Sequence, residues 1–356
     1  MYQKLFEIPF IHRPIHSFGP MMVIGFLFAF FLIKHLSRNI TSTPQVITNI
    51  ALYCLIAGVI GSRAFYVIHH LDQFQRRWSS IFGIWQGGLE FYGGVIFALP
   101  VIVLYLRHNK LPIRRYLDIL AIGLMLGVAF GRIGCFLNGC CFGKPTQLPW
   151  AIRFPYLSFA YRSQVNPNPE RNRLERQLKL PEDEFFGYPD DDGHWVQDWK
   201  PKKNLTEEQK IEVTKGKYRC LPVHPAQLYS CANAAFWCLA LYLFWRRAQK
   251  AELAGSSSRL FTKPGCTFAL AFIVYGVTRF LIESLRDDNP FEYAWWAVYK
   301  GGTVSQNLSI YLAILGVVLM ALFQVMKADA FGREIIDQKN RTEQNRTESS
   351  FAEHRT

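Results

Sequence analysis

The sequence lacks the usual tools of an enzyme that supplies its own nucleophile or holds a nucleotide. No Gly-x-Ser-x-Gly elbow, phosphate loop, His-Glu-x-x-His pair or dinucleotide fingerprint stands in a suitable context. If the chain is an enzyme, the nucleophile comes from a substrate. None of the eight cysteines forms a Cys-x-x-Cys pair, which removes the common redox and zinc-knuckle motifs. Cys54, Cys231, Cys238 and Cys266 lie in or beside apolar runs and read as small buried hydrophobes. Adjacent Cys140 and Cys141 have no partner at ligand spacing, so no metal and no cofactor is expected. The N-terminus shows no cleavable leader pattern, so the first apolar run is expected to be a retained anchor. The halves do not match each other as the inverted repeats of a transporter would.

Apolar sequence is what the chain has in quantity: 50% of its 356 residues are hydrophobic and 15% aromatic, beside 19% charged. That balance suits a membrane protein with sizeable polar parts. Apolar runs at Ser17–Leu36, Val46–Ile68, Gly88–Leu106, Tyr116–Leu137, Ala226–Trp245, Pro264–Ser284 and Val304–Met326 are each near the ~20 residues that cross a bilayer. The expected fold is an all-α integral membrane protein of seven transmembrane helices. Much of the net charge of +13 sits in short connections, where anionic lipid is the expected partner and nucleic acid is not. Lys34, Arg38, Arg107, Lys110, Arg114, Arg115, Arg246, Arg247 and Lys250 fall on one side. Their excess puts the N-terminus outside and the C-terminus in the cytoplasm.

Four parts follow: residues 1–143 with helices one to four, a polar insert at 144–223, helices five to seven at 224–326, and a polar tail at 327–356 expected to be disordered. The insert lies on the outer side by the same count. It is rich in proline and charge, has stretches that read as disordered, and carries a short helix expected at Thr206–Lys215.

The run Gly131-Arg132-Ile133-Gly134-Cys135-Phe136-Leu137-Asn138-Gly139-Cys140-Cys141-Phe142-Gly143 ends the fourth span with an arginine still inside it. Such a cation costs roughly 2.5–3.5 kcal/mol at mid-bilayer, so it either faces a polar cavity with an anion or snorkels to the headgroups. The glycines allow backbone to approach a helix or a ligand, and Asn138 adds a neutral donor and acceptor. In the sixth span Tyr275, Arg279 and Glu283 recur every fourth residue, with Arg286 next, on one helix face. That stripe either lines a polar cavity or locks helices through an Arg279–Glu283 pair. Arg132 and Arg279 together favour a phosphate ligand, whose oxygens match the guanidinium fork.

Other polar groups are less specific. Gly61-Ser62-Arg63, with Tyr66, either meets headgroups or anchors a helix end. Glu90 and Tyr92 sit between glycine pairs, where Tyr92 also fits an interfacial aromatic belt. His224-Pro225-Ala226-Gln227-Leu228-Tyr229 opens the fifth span.

Taken in order, four of these motifs resemble the prolipoprotein diacylglyceryl transferase family of bacterial inner-membrane enzymes. They are Gly131 to Gly143, the Gly-Gly-x-x-x-Tyr-Gly-Gly run ending at Gly94, His224-Pro225-x-Gln227-Leu228-Tyr229, and Tyr275-Gly276-x-x-Arg279-x-x-x-Glu283-x-x-Arg286. Asp118 and Arg63 also match family positions. The resemblance implies a periplasmic head between helices four and five, and a monomer whose partners are phosphatidylglycerol, prolipoprotein lipobox segments and membrane lipid. The lipobox thiol would attack the glyceryl C3 carbon, releasing glycerol 1-phosphate. It implies catalytic roles for Arg132, Arg279 and Tyr92, and lipid-binding roles for Arg132, Arg279, Asn138, Gly143, Tyr275, Glu283, Arg286, Arg63, His224 and Gln227.

The chain departs from the family at several points. Tyr92 stands where histidine is frequent, and a phenol of unperturbed pKa near 10 is a poor base at neutral pH. Tyr92 is therefore assigned to positioning or hydrogen bonding, and the base stays open, the substrate phosphate being one acceptor. Phe18 replaces a frequent tyrosine, Cys135 an asparagine and Cys140 a glutamate. These changes motivate an alternative, a catalytically silent lipid-binding or lipid-transporting protein of the same fold; a seven-span receptor explains neither arginine.

Overall fold

In a computed structural model, residues 4–8, 13–40, 45–74, 78–83, 88, 90–190, 193–253 and 261–326 are described. An antiparallel hairpin, β1 (Lys4–Ile8) and β2 (Arg13–His16), precedes the helices and was not read from the sequence. Helices α1 (Phe18–Ser37), α2 (Gln45–His69), the short α3 (Leu71–Phe74), α4 (Phe91–His108) and α5 (Ile113–Asn138) follow. The insert contributes α6 (Phe159–Val165), α7 (Glu182–Phe185), a hairpin of β3 (Phe186–Pro189) and β4 (Trp195–Trp199), and α8 (Glu207–Thr214). Helices α9 (Ala226–Leu253), α10 (Cys266–Glu283) and α11 (Val304–Val325) complete the order.

The chain is mostly helical, and six helices among the described residues, α1, α2, α5, α9, α10 and α11, are long and apolar enough to cross a membrane. The third expected span corresponds to α4, whose described apolar part, Gly93–His108, is shorter. Boundaries otherwise lie close to those expected, except that α9 runs on past Trp245 through Arg246 and Lys250 to Leu253. Those residues end the apolar run but are good helix formers, so hydropathy stops before the helix does. Phe31, Leu104, Phe236, Leu281 and Val317 stand exposed on these helices, apolar surface that lipid would cover. The chain is a multi-pass membrane protein.

Contacts divide it into two units: Met1–Phe28, Leu124–Tyr242 and Ala269–Leu319 form the first, and Ala29–Gly123, Leu243–Phe268 and Met320–Thr356 the second. In the second, α2 and α4 meet at glycines. A Cβ on Gly61 would lie 2.5 Å from the Gly93 carbonyl oxygen and from Phe97 Cβ, so the backbones touch with no side chain between them. The Asp118 carboxylate accepts from Gly265 N and Phe268 N, each at 2.8 Å, and so caps the start of α10. Arg115 and Glu252 form a two-bonded ion pair at 2.9 and 2.5 Å.

In the first unit the insert has its own core, including Tyr161, Phe185, Trp199, Cys220 and Val223. Its described residues fold where disorder was expected in stretches: aromatic residues supply apolar area that charge and proline masked. The expected helix at Thr206–Lys215 is α8, flanked by those two residues as caps. Thr206 accepts from Gln209 N at 3.2 Å and Gln209 returns a bond to Thr206 N at 3.0 Å. The tail at 327–356 lies outside the described residues.

Candidate functional site

All of the geometry of this site belongs to the first unit. The signature's glycines meet protein. A Cβ on Gly134 would stand 3.1 Å from Met21 Cβ and 3.2 Å from Phe18 Cδ2, which brings the start of α1 against α5. Gly139 ends α5 in the left-handed region at φ 80°, its N–H returning to the Cys135 carbonyl at 2.9 Å.

Arg132 of α5 lines a small cavity together with Tyr275 and Arg279 of α10 and with Ser230 and Asn233 of α9. Met125, Trp237 and Ile282 form part of its apolar wall. No hydrogen bond or ion pair joins Arg132 to another described residue, while Arg279 Nη1 is buried without a partner among them. Two guanidiniums with spare donors in one apolar-walled cavity make a site for an anion.

Glu283, whose side chain is fully buried, holds the cations in place. It pairs with Arg279 Nη2 at 2.7 Å and Arg286 Nη1 at 3.1 Å, accepts from Thr303 Oγ1 at 3.1 Å, and accepts from Asn289 Nδ2. Arg279 Nη2 also reaches Ser305 Oγ at 3.1 Å. Arg286 forks onto Asp288 at 2.9 and 2.7 Å. Burial works against its cation, but the Asp288 hydrogen bonds and the charges of Asp288 and Glu283 outweigh it and hold the guanidinium above its ordinary value. Burial raises the Asp288 carboxyl, with the Arg286 bonds opposing. Arg279 and Arg286 thus share Glu283, Arg286 holds Asp288 as well, and Arg132 pairs with neither carboxylate among the described residues. Both readings of the sixth-span stripe hold: the Arg279–Glu283 pair exists, and Arg279 still faces the cavity.

The end of the signature is stitched to both neighbours. Gly143 N donates to the His224 carbonyl at 3.2 Å, Lys144 N to Leu285 O at 2.8 Å, and Asp287 N to Phe142 O at 3.2 Å. A Cβ at Gly143 would lie 2.5 Å from both the Cβ and the carbonyl oxygen of His224, so only glycine fits. Gln227 is fully buried and donates to the Cys140 carbonyl at 2.7 Å. Its Oε1 and His224 Nδ1 are buried without partners among the described residues. Cys140 Sγ donates to the Cys135 carbonyl at 3.8 Å. Neither His224, Gln227 nor Asn138 is part of the cavity lining.

Sequence reasoning missed the insert's share. Arg171, buried, donates to Asn289 O at 2.5 Å and Arg286 O at 3.0 Å and lies 4.5 Å from the Phe291 ring centre. Arg173 pairs with Asp287 at 2.6 Å. The loop carrying Arg286 is thereby clamped from more than a hundred residues away in sequence, with no local signal. Asp288 and Asn289, by contrast, directly follow the stripe as a polar run and were findable.

Arg63 belongs to the second unit. Its guanidinium donates to the carbonyls of Ser80 at 2.7 Å, Ile81 at 2.8 Å and Gly88 at 3.1 Å. It also lies 5.4 Å from the ring centres of Tyr66 and Phe74. The side chain of Tyr92 lies outside the described residues.

A family model described as prolipoprotein diacylglyceryl transferase matches residues 3–322. Proteins named phosphatidylglycerol–prolipoprotein diacylglyceryl transferase are similar over most of the chain. The one from Clostridium tetani is 25% identical over 89% of this chain and 96% of its own length. That from Finegoldia magna is 25% identical over 88% and 93%. That from Bordetella parapertussis is 26% identical over 85% and 88%.

Proposed function

The chain belongs to the prolipoprotein diacylglyceryl transferase family, and on that premise we propose how its arginine site serves the reaction. The protein transfers the diacylglyceryl group of phosphatidylglycerol to the lipobox cysteine of a prolipoprotein. The cysteine sulfur forms a bond to the glyceryl C3 carbon as the C3–oxygen bond to phosphate breaks. Glycerol 1-phosphate leaves with the bonding pair, and the thiol proton passes to a phosphate oxygen or to solvent. The names of the relatives do not favour the silent lipid-binding alternative.

Arg132 carries the assignment of the site: a half-buried cation with no hydrogen-bond or ion-pair partner among the described residues, facing a cavity it shares with Arg279. A phosphodiester supplies one negative charge, and its monoester product gains a second as C3 departs. Donors fixed beforehand around those oxygens favour the product-like transition state over the bound lipid. Arg132 and Arg279 are the catalytic residues of this reading. Tyr275 orients the phosphate, Glu283 and Arg286 orient Arg279, and Gly143, Asn138, Gln227 and His224 hold the signature's end at the lipid-binding edge. Arg63 supports the second unit through its carbonyl bonds, and Tyr92 positions or hydrogen-bonds substrate, the base staying open.

The same proposal takes α4 as a seventh span, the N-terminus and the insert as periplasmic, the C-terminus as cytoplasmic, and the protein as an inner-membrane monomer. The orientation is supported by the excess of Lys and Arg in the connections on one side. The test is transfer of labelled diacylglyceryl from phosphatidylglycerol to a lipobox peptide by purified protein, with a Cys-to-Ser peptide as control. Thioether product with released glycerol phosphate is expected. Absence of product from folded, lipid-loaded protein would overturn the assignment.

A further inference from the structure

Three thiols converge where the sequence suggested no metal. Cys135 lies in the last turn of α5, and Cys140 and Cys141 follow the Gly139 turn. The left-handed backbone at Cys141, φ 60°, belongs to the same bend, and the sulfurs of all three cysteines lie within 4.8 Å of one another. Around a thiolate-bound ion with metal–sulfur bonds of about 2.3 Å, neighbouring sulfurs stand about 3.8–4 Å apart. Small side-chain rotations would close the remaining gap. The spacing, one cysteine followed by two adjacent ones five residues on, escapes a search for Cys-x-x-Cys pairs because a helix end and a left-handed turn fold it back on itself.

We propose that Cys135, Cys140 and Cys141 form a three-thiolate site for a soft, thiophilic divalent metal ion. Soft sulfur ligands select such ions over Mg²⁺ or Ca²⁺. The claim concerns binding alone and holds whether or not the protein transfers lipid.

The probe is Cd²⁺, titrated into the full chain purified in detergent with a phosphine reductant and followed by thiolate-to-metal charge-transfer absorption. One ion per chain is expected, with binding weakened at least about tenfold in Cys135→Ser and in Cys140→Ser. Cys54→Ser and Cys231→Ser should bind like the parent. Alkylation of the unaltered chain, read by mass spectrometry, covers the case of variants that fail to fold. Bound Cd²⁺ should shield Cys135, Cys140 and Cys141 while leaving the labelling of Cys54 and Cys231 unchanged. No saturable band, equal affinity in all variants, or shielding spread evenly over the cysteines would overturn the proposal. So would finding two of the three thiols joined as a disulfide that the phosphine does not open.

Discussion

Arg63 and Arg132 enter the chain alike, each close behind a glycine near the end of an apolar run, yet their surroundings differ. Arg63 is 7% exposed, donates to three backbone carbonyls and lies near two aromatic rings. Those neutral acceptors answer its hydrogen-bonding demand and tie the segment around Ser80 to α2. Arg132 has no such acceptors among the described residues and opens onto a cavity that holds a second guanidinium. An arginine tied to backbone carbonyls does structural work. One left with spare donors beside another cation is placed for an anion that arrives later.

The largest expected effect tests the second half of that contrast. Arg132→Ala and Arg279→Ala should each lower the transfer rate about 10²–10³-fold, the scale of losing one preorganised donor to a developing oxyanion. Thermal unfolding should show both variants folded. Arg63→Ala should do the opposite. Losing donors to three carbonyls should cost about 1–3 kcal/mol of stability, with the rate per folded molecule near that of the parent. Should Arg63→Ala instead match Arg132→Ala in rate with an unchanged melting temperature, the two arginines would share one role and the contrast would be broken.

Glu283 sharpens the comparison from the anion's side. Glu283→Gln leaves Arg279 with no ion pair among the described residues and Arg286 with Asp288 alone. Removing one partner of a buried pair costs about 3 kcal/mol or more. Phosphatidylglycerol brings back a negative charge, so it should raise the melting temperature of Glu283→Gln more than that of the parent. An equal rise in both would mean that the lipid phosphate does not meet these arginines.

The contrast also marks what the sequence could convey. Length, hydropathy and glycine placement were enough for the long helices, and the i, i+4, i+8 rhythm put Tyr275, Arg279 and Glu283 on one face, as found. What distinguishes Arg63 from Arg132 is the identity of the groups around each guanidinium, and these come from distant segments with no pattern pointing at them. The same holds for Arg171 and Arg173, which nothing in the sequence of the insert singles out but which clamp the loop bearing Arg286. Spacing along a regular element also gave no sign that Cys135, Cys140 and Cys141 lie together, since it is the Gly139 turn that brings their sulfurs within 4.8 Å. In the insert, net charge and proline outweighed in the reading a handful of aromatic residues that outweigh them in the fold.

The smallest expected effect bounds the comparison within the first unit. Thr206 caps α8 through its hydroxyl, and neither it nor Gln209 bonds to any residue of the arginine cluster. Thr206→Ala should cost about 1 kcal/mol, the usual value of an N-cap side chain, and leave the transfer rate unchanged. That result would mean that the arginines set turnover and that modest loosening of the insert does not propagate to them. A rate that fell together with stability would instead mean that the clamp made by Arg171 and Arg173 transmits the insert's integrity to Arg286. The effect of any single arginine on the rate would then have to be corrected for how firmly the insert is folded.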